Sequence, residues 1–348
     1  MRIVLLAVML MASFIRQNTL FDPADKRYQY TGRIDFSNPS LPRIWSPGVY
    51  ITLKFTGRNC EIFLNDEEYG PDKHNYITIV MDDNKPKRIH LTGKTNVIKM
   101  DTLSGGVHKL LICKTTESNI GYIEFAGIKC KRLLPPDPLP ERRIEFIGNS
   151  ITCGTGMDKS EIDCGKGQWH DQHNAYMSYG PQTARTLNAR WVLTSVSGIG
   201  MIHSCCGMKV TMPDVFDKTN LRDNVIPWNF SLYQPDVLTI CLGQNDGIQD
   251  SIAFCSAYVK FIQKARSVYP DADIVCLTSP MADDRLTKAM KNYLTGITTY
   301  MQKSGDNKVH AFFFSGSYNN GCDTHPDMAQ HAEIAVELTS YIRKLKNW

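Results

Sequence analysis

Nowhere in its 348 residues does the chain carry a dense run of lysine and arginine interleaved with aromatics, and its formal net charge is only +4. That absence argues against a nucleic-acid partner, whose phosphates demand clustered positive charge. Apolar runs of membrane-spanning length are missing too. The run Ile3–Phe14, behind Arg2, has twelve residues, where a span takes about twenty. Its length and leading charge fit the apolar core of a secretion signal. Residues 1–19 are therefore expected to be a signal peptide, and the protein to be secreted or periplasmic, with no membrane anchor. A buried N-terminal strand or helix is the competing reading, because no clear small-x-small cleavage site follows. Cys-x-x-Cys spacing is absent among the eleven cysteines, so common zinc patterns are not written here. Cys113, Cys241 and Cys276 lie inside apolar runs, as small buried hydrophobes do. The count settles neither the compartment nor any pairing.

What is present is a chain of two grammars. Its length suggests two domains, and 42% hydrophobic with 21% charged residues is enough to bury a core. From about Tyr28 to Lys131 the pattern is short, alternating and rich in turns. Residues 49–55, 60–64, 76–80, 108–113 and 121–125 alternate at period two, with turn signals such as Ser104-Gly105-Gly106 between them. Such spacing without intervening helices predicts a β-sandwich over residues 20–132. Four prolines follow within residues 135–140. They predict a stiff linker over 133–142. Beyond it, over 143–348, strands alternate with helices. Strands are expected at 144–147, 191–196, 237–242, 273–278 and 309–314. Helices are expected at about 174–188, 251–268, 285–303 and 327–345. This order predicts a three-layer α/β/α domain on a five-stranded parallel sheet.

The polar residues gather at the strand ends. Gly148-Asn149-Ser150 follows the first strand, Ser197-Gly198 the second, Gly243-Gln244-Asn245-Asp246 the third, and Cys322-Asp323-Thr324-His325-Pro326 the fifth. In a parallel sheet these ends share one edge, where ligands bind. Taken alone, Ser150 reads more readily as an N-capping serine on a strand-to-helix turn than as a nucleophile. Four blocks in order shift the reading to a nucleophile.

These blocks resemble the SGNH (GDSL-type) hydrolases. Gly-Asn-Ser-Ile-Thr-Cys-Gly-Thr-Gly behind a β-sandwich resembles, more narrowly, carbohydrate esterase family 2, which joins an N-terminal jelly roll to an SGNH domain and deacetylates plant polysaccharides. The resemblance implies Ser150 as nucleophile and His325 as base. It implies an oxyanion hole formed by the main-chain N–H groups of Ser150 and Gly198 with the Asn245 amide. No cofactor or metal is implied. Many SGNH enzymes orient the histidine with Asp-x-x-His; here Asp323 stands one residue nearer. It is a candidate orienting acid, against a dyad held by a backbone carbonyl. Asn149 and Asp246 are expected to tie loops. Trp191 and Trp228 read as structural, and His331 as surface or packing. His170, His173, Cys164 and Asp171 could be assembled into a metal site on paper, but 158–172 reads as a loop. Trp169 in that loop could stack on a sugar or plug the loop. The expected activity is removal of acetyl groups from acetylated polysaccharide or oligosaccharide of xylan or mannan type. Alternatives are an esterase for a lipid or sialic acid acetyl ester, and a glycan-binding protein with an inactive hydrolase domain.

Overall fold

The computed structural model describes residues 18–70, 72–101, 103–222 and 225–348. The apolar run assigned to a signal peptide lies outside the described residues. Thr19, placed at its end, already belongs to a strand paired with Cys130.

The first domain is antiparallel. Its strands are β1 (Thr19–Phe21), β2 (Gln29–Thr31), β3 (Arg43–Ile44), β4 (Tyr50–Asp66), β5 (Tyr76–Met81), β6 (Lys87–His90), β7 (Thr95–Met100), β8 (Val107–Lys114) and β9 (Ile123–Leu134). The two strands expected at 49–55 and 60–64 are one long strand. A register shift between Thr56 and Cys60 bends β4, so its first half pairs with β8 and its second half with β7, while β9 follows both. Bulges of this kind let one strand turn a corner. β4 is organised to bury alternate residues: Ile51, Leu53, Phe55, Cys60, Ile62 and Leu64 lie in the domain core. The expected linker also shortens. β9 continues to Leu134 because Leu133 is buried opposite Phe55. The proline segment that remains is fastened rather than free: Asp137 pairs with Lys54 and Lys109.

The second domain is the expected α/β alternation. Its strands β10 (Arg142–Gly148), β11 (Ala189–Ser195), β12 (Val237–Cys241), β13 (Asp273–Leu277) and β14 (Val309–Phe312) pair in the order β11-β10-β12-β13-β14, all parallel. The helices are α1 (Ser150–Cys153), α2 (Tyr179–Thr186), α3 (Met212–Val215), α4 (Ser251–Val268), α5 (Asp284–Lys303) and α6 (Met328–Lys346). Both faces of the sheet are buried. Ile144 and Phe146 pack with α2 and α6 on one side, whereas Ile147 packs with α4 and α5 on the other. The helix expected over 174–188 is broken. Asn174 caps a single 3₁₀ turn, Ala175–Met177, and Ser178 is extended before α2 begins.

The chain leaves β10, adds β11 on one side, then crosses to β12 on the other. The sheet therefore reverses its order at β10, and the crevice for a ligand opens at that point. The two domains dock through buried contacts. Arg33, fully buried, donates to the Glu145 carboxylate at 2.9 Å. Tyr50 stacks on Trp191, whose indole N–H donates to the Gly48 carbonyl. A side chain at Gly48 would collide with Leu193, and its φ of +73° is left-handed, so glycine is required at this seam.

Candidate active site

Ser150 lies at the C-terminal end of β10 as the first residue of α1. It is not the helix cap. Asn149 holds that role, its side-chain oxygen accepting from the Ile151 N–H. The turn is tight enough that a Cβ at Gly148 would stand 2.0 Å from the Thr152 hydroxyl. Glycine before the Asn-Ser pair is thus a packing necessity.

His325 approaches from the loop before α6. Its Nε2 stands 2.8 Å from Ser150 Oγ. Its Nδ1 meets the carbonyls of Cys322 (3.2 Å) and Asp323 (3.1 Å). It is the carbonyl of Asp323, rather than its carboxylate, that meets the ring. Asp323 and Thr324 both have left-handed φ values, 51° and 58°. That backbone turns their carbonyl edge toward the imidazole and leaves both residues exposed. Two acceptors at Nδ1 fix the tautomer with the proton there, so Nε2 is free to take the serine proton. Desolvation lowers the His325 pKa from its ordinary value, and the two carbonyls partly oppose that shift.

The final glycines of the Gly-Thr-Gly motif explain how this loop comes so close. A Cβ at Gly156 would be 2.7 Å from the Cys322 carbonyl. Instead, Cys322 N–H donates to the Gly156 carbonyl at 2.8 Å. A Cys164–Cys322 disulfide ties the same loop to residues 158–172. Cys164 is thereby removed from the imagined metal site, and Asp171 accepts from the Tyr76 hydroxyl and from the Gln168 N–H.

Gly198 follows β11 with φ +83°. Asn245 follows β12, and its side-chain amide donates one hydrogen to the Ile199 carbonyl at 2.8 Å, which orients the other. Asp246 takes the N–H groups of Met201, Ile202 and His203 on its carboxylate, tying the loop after β11 to the one after β12. Trp169 is 45% exposed and meets buried His173 edge to face. His331 is buried, its ring stacked on Tyr179 and accepting that residue's N–H. A groove of about 510 Å³ is lined by Gln244 and Thr324, which precede Asn245 and His325 in the chain, together with Gly247, Met281, Arg285 and Asn319.

Two family models together match most of the chain. Residues 30–138 match the Carbohydrate esterase 2 N-terminal model, and residues 146–329 the GDSL-like Lipase/Acylhydrolase family. A solved family two carbohydrate esterase from Clostridium thermocellum, in complex with cellohexaose, superposes with a TM-score of 0.84 at 31% identity, covering 92% of this chain and 99% of that one.

The chain belongs to carbohydrate esterase family 2.

Among its relatives, the Cellulase/esterase CelE of Acetivibrio thermocellus is 33% identical over 331 residues. The match covers 92% of this chain but 39% of that much longer protein. An acetylxylan esterase / glucomannan deacetylase of Cellvibrio japonicus is 27% identical, with 93% and 90% of the two chains covered. The antiparallel first domain and the five-stranded parallel sheet are the architecture this family membership leads one to expect.

Two features of the site were not read from the sequence. The disulfide joins cysteines 158 positions apart, and spacing carries no signal for such a pair. Glu117 of the first domain, whose carboxylate accepts from the Ser197 N–H beside Gly198, sits in no recognisable motif.

Proposed function

We propose that this chain is an exported carbohydrate O-acetylesterase that removes acetyl groups from plant polysaccharides of xylan or mannan type. The observation that carries the proposal is the 2.8 Å contact between Ser150 Oγ and His325 Nε2 at the end of β10. The relatives named as acetylxylan esterase and glucomannan deacetylase support the substrate class. The neighbour that binds cellohexaose supports a β-linked glycan in the adjoining groove.

In this mechanism Ser150 Oγ attacks the acetyl carbonyl while His325 Nε2 accepts its proton. The negative charge that develops on the carbonyl oxygen is met by the N–H groups of Ser150 and Gly198 and by the free hydrogen of the Asn245 amide. Collapse expels the sugar oxygen, which leaves with the proton held on His325. Water, deprotonated by the same imidazole, then releases acetate from Ser150. The Cys322 and Asp323 carbonyls keep the ring oriented and share the charge of the imidazolium, so the machine is a dyad. Export is supported by the disulfide, which persists in oxidising compartments.

The test uses aryl esters of increasing acyl length with the wild-type chain and Ser150→Ala. Hydrolysis of the acetate that falls off steeply with chain length, and disappears in the variant, is expected. Equal turnover by Ser150→Ala would remove the nucleophile assignment. Preference for long acyl chains would point to a lipid ester instead.

A further inference from the structure

Between β8 and β9 the chain crosses to the hydrolase domain and buries four consecutive polar residues, Thr115, Thr116, Glu117 and Ser118, completely. Burying polar groups is costly unless they are bonded; the hydroxyls of Thr115 and Ser118 and the Oε1 atom of Glu117 meet no partner, so the bonds that this segment does make define how it is held. Lys114 Nζ donates to the carbonyls of Thr116 and Glu117, at 2.6 and 3.2 Å. The Thr116 hydroxyl donates to Asn75 at 2.6 Å. The Thr115 carbonyl accepts from Ala175 N–H, across the domain boundary. These bonds hold the main chain rigid and present the Glu117 side chain to the second domain.

There the Glu117 carboxyl group meets two elements of the site at once. Its Oε2 accepts from the Ser197 N–H at 2.7 Å and from Cys153 Sγ at 3.7 Å. Cys153 closes the one-turn helix that Ser150 begins. Ser197 immediately precedes Gly198. The same two segments are joined again nearby, by Thr155 Oγ1 to Ser197 Oγ at 2.8 Å and Cys153 Sγ to Ser195 Oγ at 3.2 Å. One acceptor atom from the first domain therefore links the nucleophile helix to the glycine loop. Nothing in folding the parallel sheet demands this, since β10 and β11 are already paired along their length.

We infer that Glu117 is a positioning residue of the esterase: it sets the separation between the Ser150 N–H and the Gly198 N–H, so the β-domain completes the oxyanion hole. The inference rests on the reading of Ser150 and Gly198 given above. Its physical basis is that hydrogen-bond donors must be in place before charge develops. A displacement of about 1 Å at such a site can cost about 10²-fold in rate. Burial pushes the Glu117 carboxyl pKa upward, opposed by the Ser197 hydrogen bonds and by the Lys114 charge. A glutamine, which keeps an acceptor oxygen on the same stem, is therefore a close mimic, whereas aspartate withdraws the acceptor by one methylene.

The experiment compares wild type, Glu117→Gln, Glu117→Asp and Glu117→Ala on an aryl acetate. Active sites are counted by titration with a fluorophosphonate, and Ser150→Ala serves as the blank. Expressed per titrated site, kcat should stay within about threefold for Glu117→Gln and fall about 10–10²-fold for Glu117→Asp and Glu117→Ala with KM little changed. A merely structural role would reduce the number of titrated sites and the melting temperature while leaving kcat per site alone. Unchanged kcat per site in Glu117→Asp, or a loss in Glu117→Gln as large as in Glu117→Asp, would overturn the inference. Should Glu117→Ala fail to fold, the Asp and Gln variants still decide it. Wild-type chain with no turnover above Ser150→Ala would instead overturn the esterase reading itself.

Discussion

At the scale of single residues, the decisive contrast is between His325 and Asp323. The imidazole is held by two carbonyls, and the only part of Asp323 that meets it is main chain. Asp323→Ala should therefore keep kcat within about tenfold, because its side chain supplies only a distant charge. His325→Ala should lose about 10²–10⁴-fold, the usual contribution of a positioned base. The pH profile follows from the same geometry. His325 must be neutral to take the serine proton, and desolvation lowers its pKa from 6.5. The acid limb of kcat/KM should accordingly fall below pH 6.5, with activity lost as pH drops through it. Steady-state rates of the wild type and of the two variants across pH check both statements. A collapse of activity in Asp323→Ala would restore a triad. The short Asp-Thr-His spacing left an orienting Asp323 and a dyad both open, because backbone φ values at Asp323 and Thr324 are not written in residue identity. The sequence could name the histidine and could not say what stands behind it.

At the scale of elements, what was legible was what repeats. Period-two runs and strand–helix alternation gave α4, α5 and α6 nearly to the residue, because their apolar faces pack on a sheet buried on both sides. What was not legible was decided by partners far along the chain. β4 reads as two strands because Gly57 and Asn59 interrupt its alternation, yet β9 pairs with both halves. The 174–188 helix breaks where Asn174 caps a short turn against the neighbouring domain. The loop bearing His325 belongs to the same class. It is held by the Gly156–Cys322 main-chain bond and by the Cys164–Cys322 disulfide, and the carbonyl of Cys322 touches the His325 ring. Cys164→Ser should thus do more than destabilise by the usual ~2–4 kcal/mol of a disulfide. It should also lower kcat at temperatures well below unfolding, since Cys322 positions His325. Thermal unfolding and kcat measured on the same sample separate the effects; a lower melting temperature with unchanged kcat would make the bridge purely structural.

At the scale of the whole molecule, the two domains share one structure. Arg33 reaches from the first domain to Glu145, which also accepts from Thr194 and Tyr269, all within the sheet and its cover. Tyr50 and Trp191 close the seam near the proline segment, and Glu117 closes it beneath the site. A β-domain docked this way does not behave as an appended module, because its buried side chains end on strands and loops of the second domain. The reaction proposed for this composite site is the Ser150-dependent removal of acetyl groups from a plant glycan. The direct measurement is proton NMR of acetylated xylan and acetylated glucomannan during incubation with wild type and with Ser150→Ala. The predicted result is loss of the O-acetyl signals of at least one polymer, with matching growth of free acetate, in the wild type alone. Persistence of every O-acetyl signal with active-site-titrated wild type, or equal loss with Ser150→Ala, would contradict it.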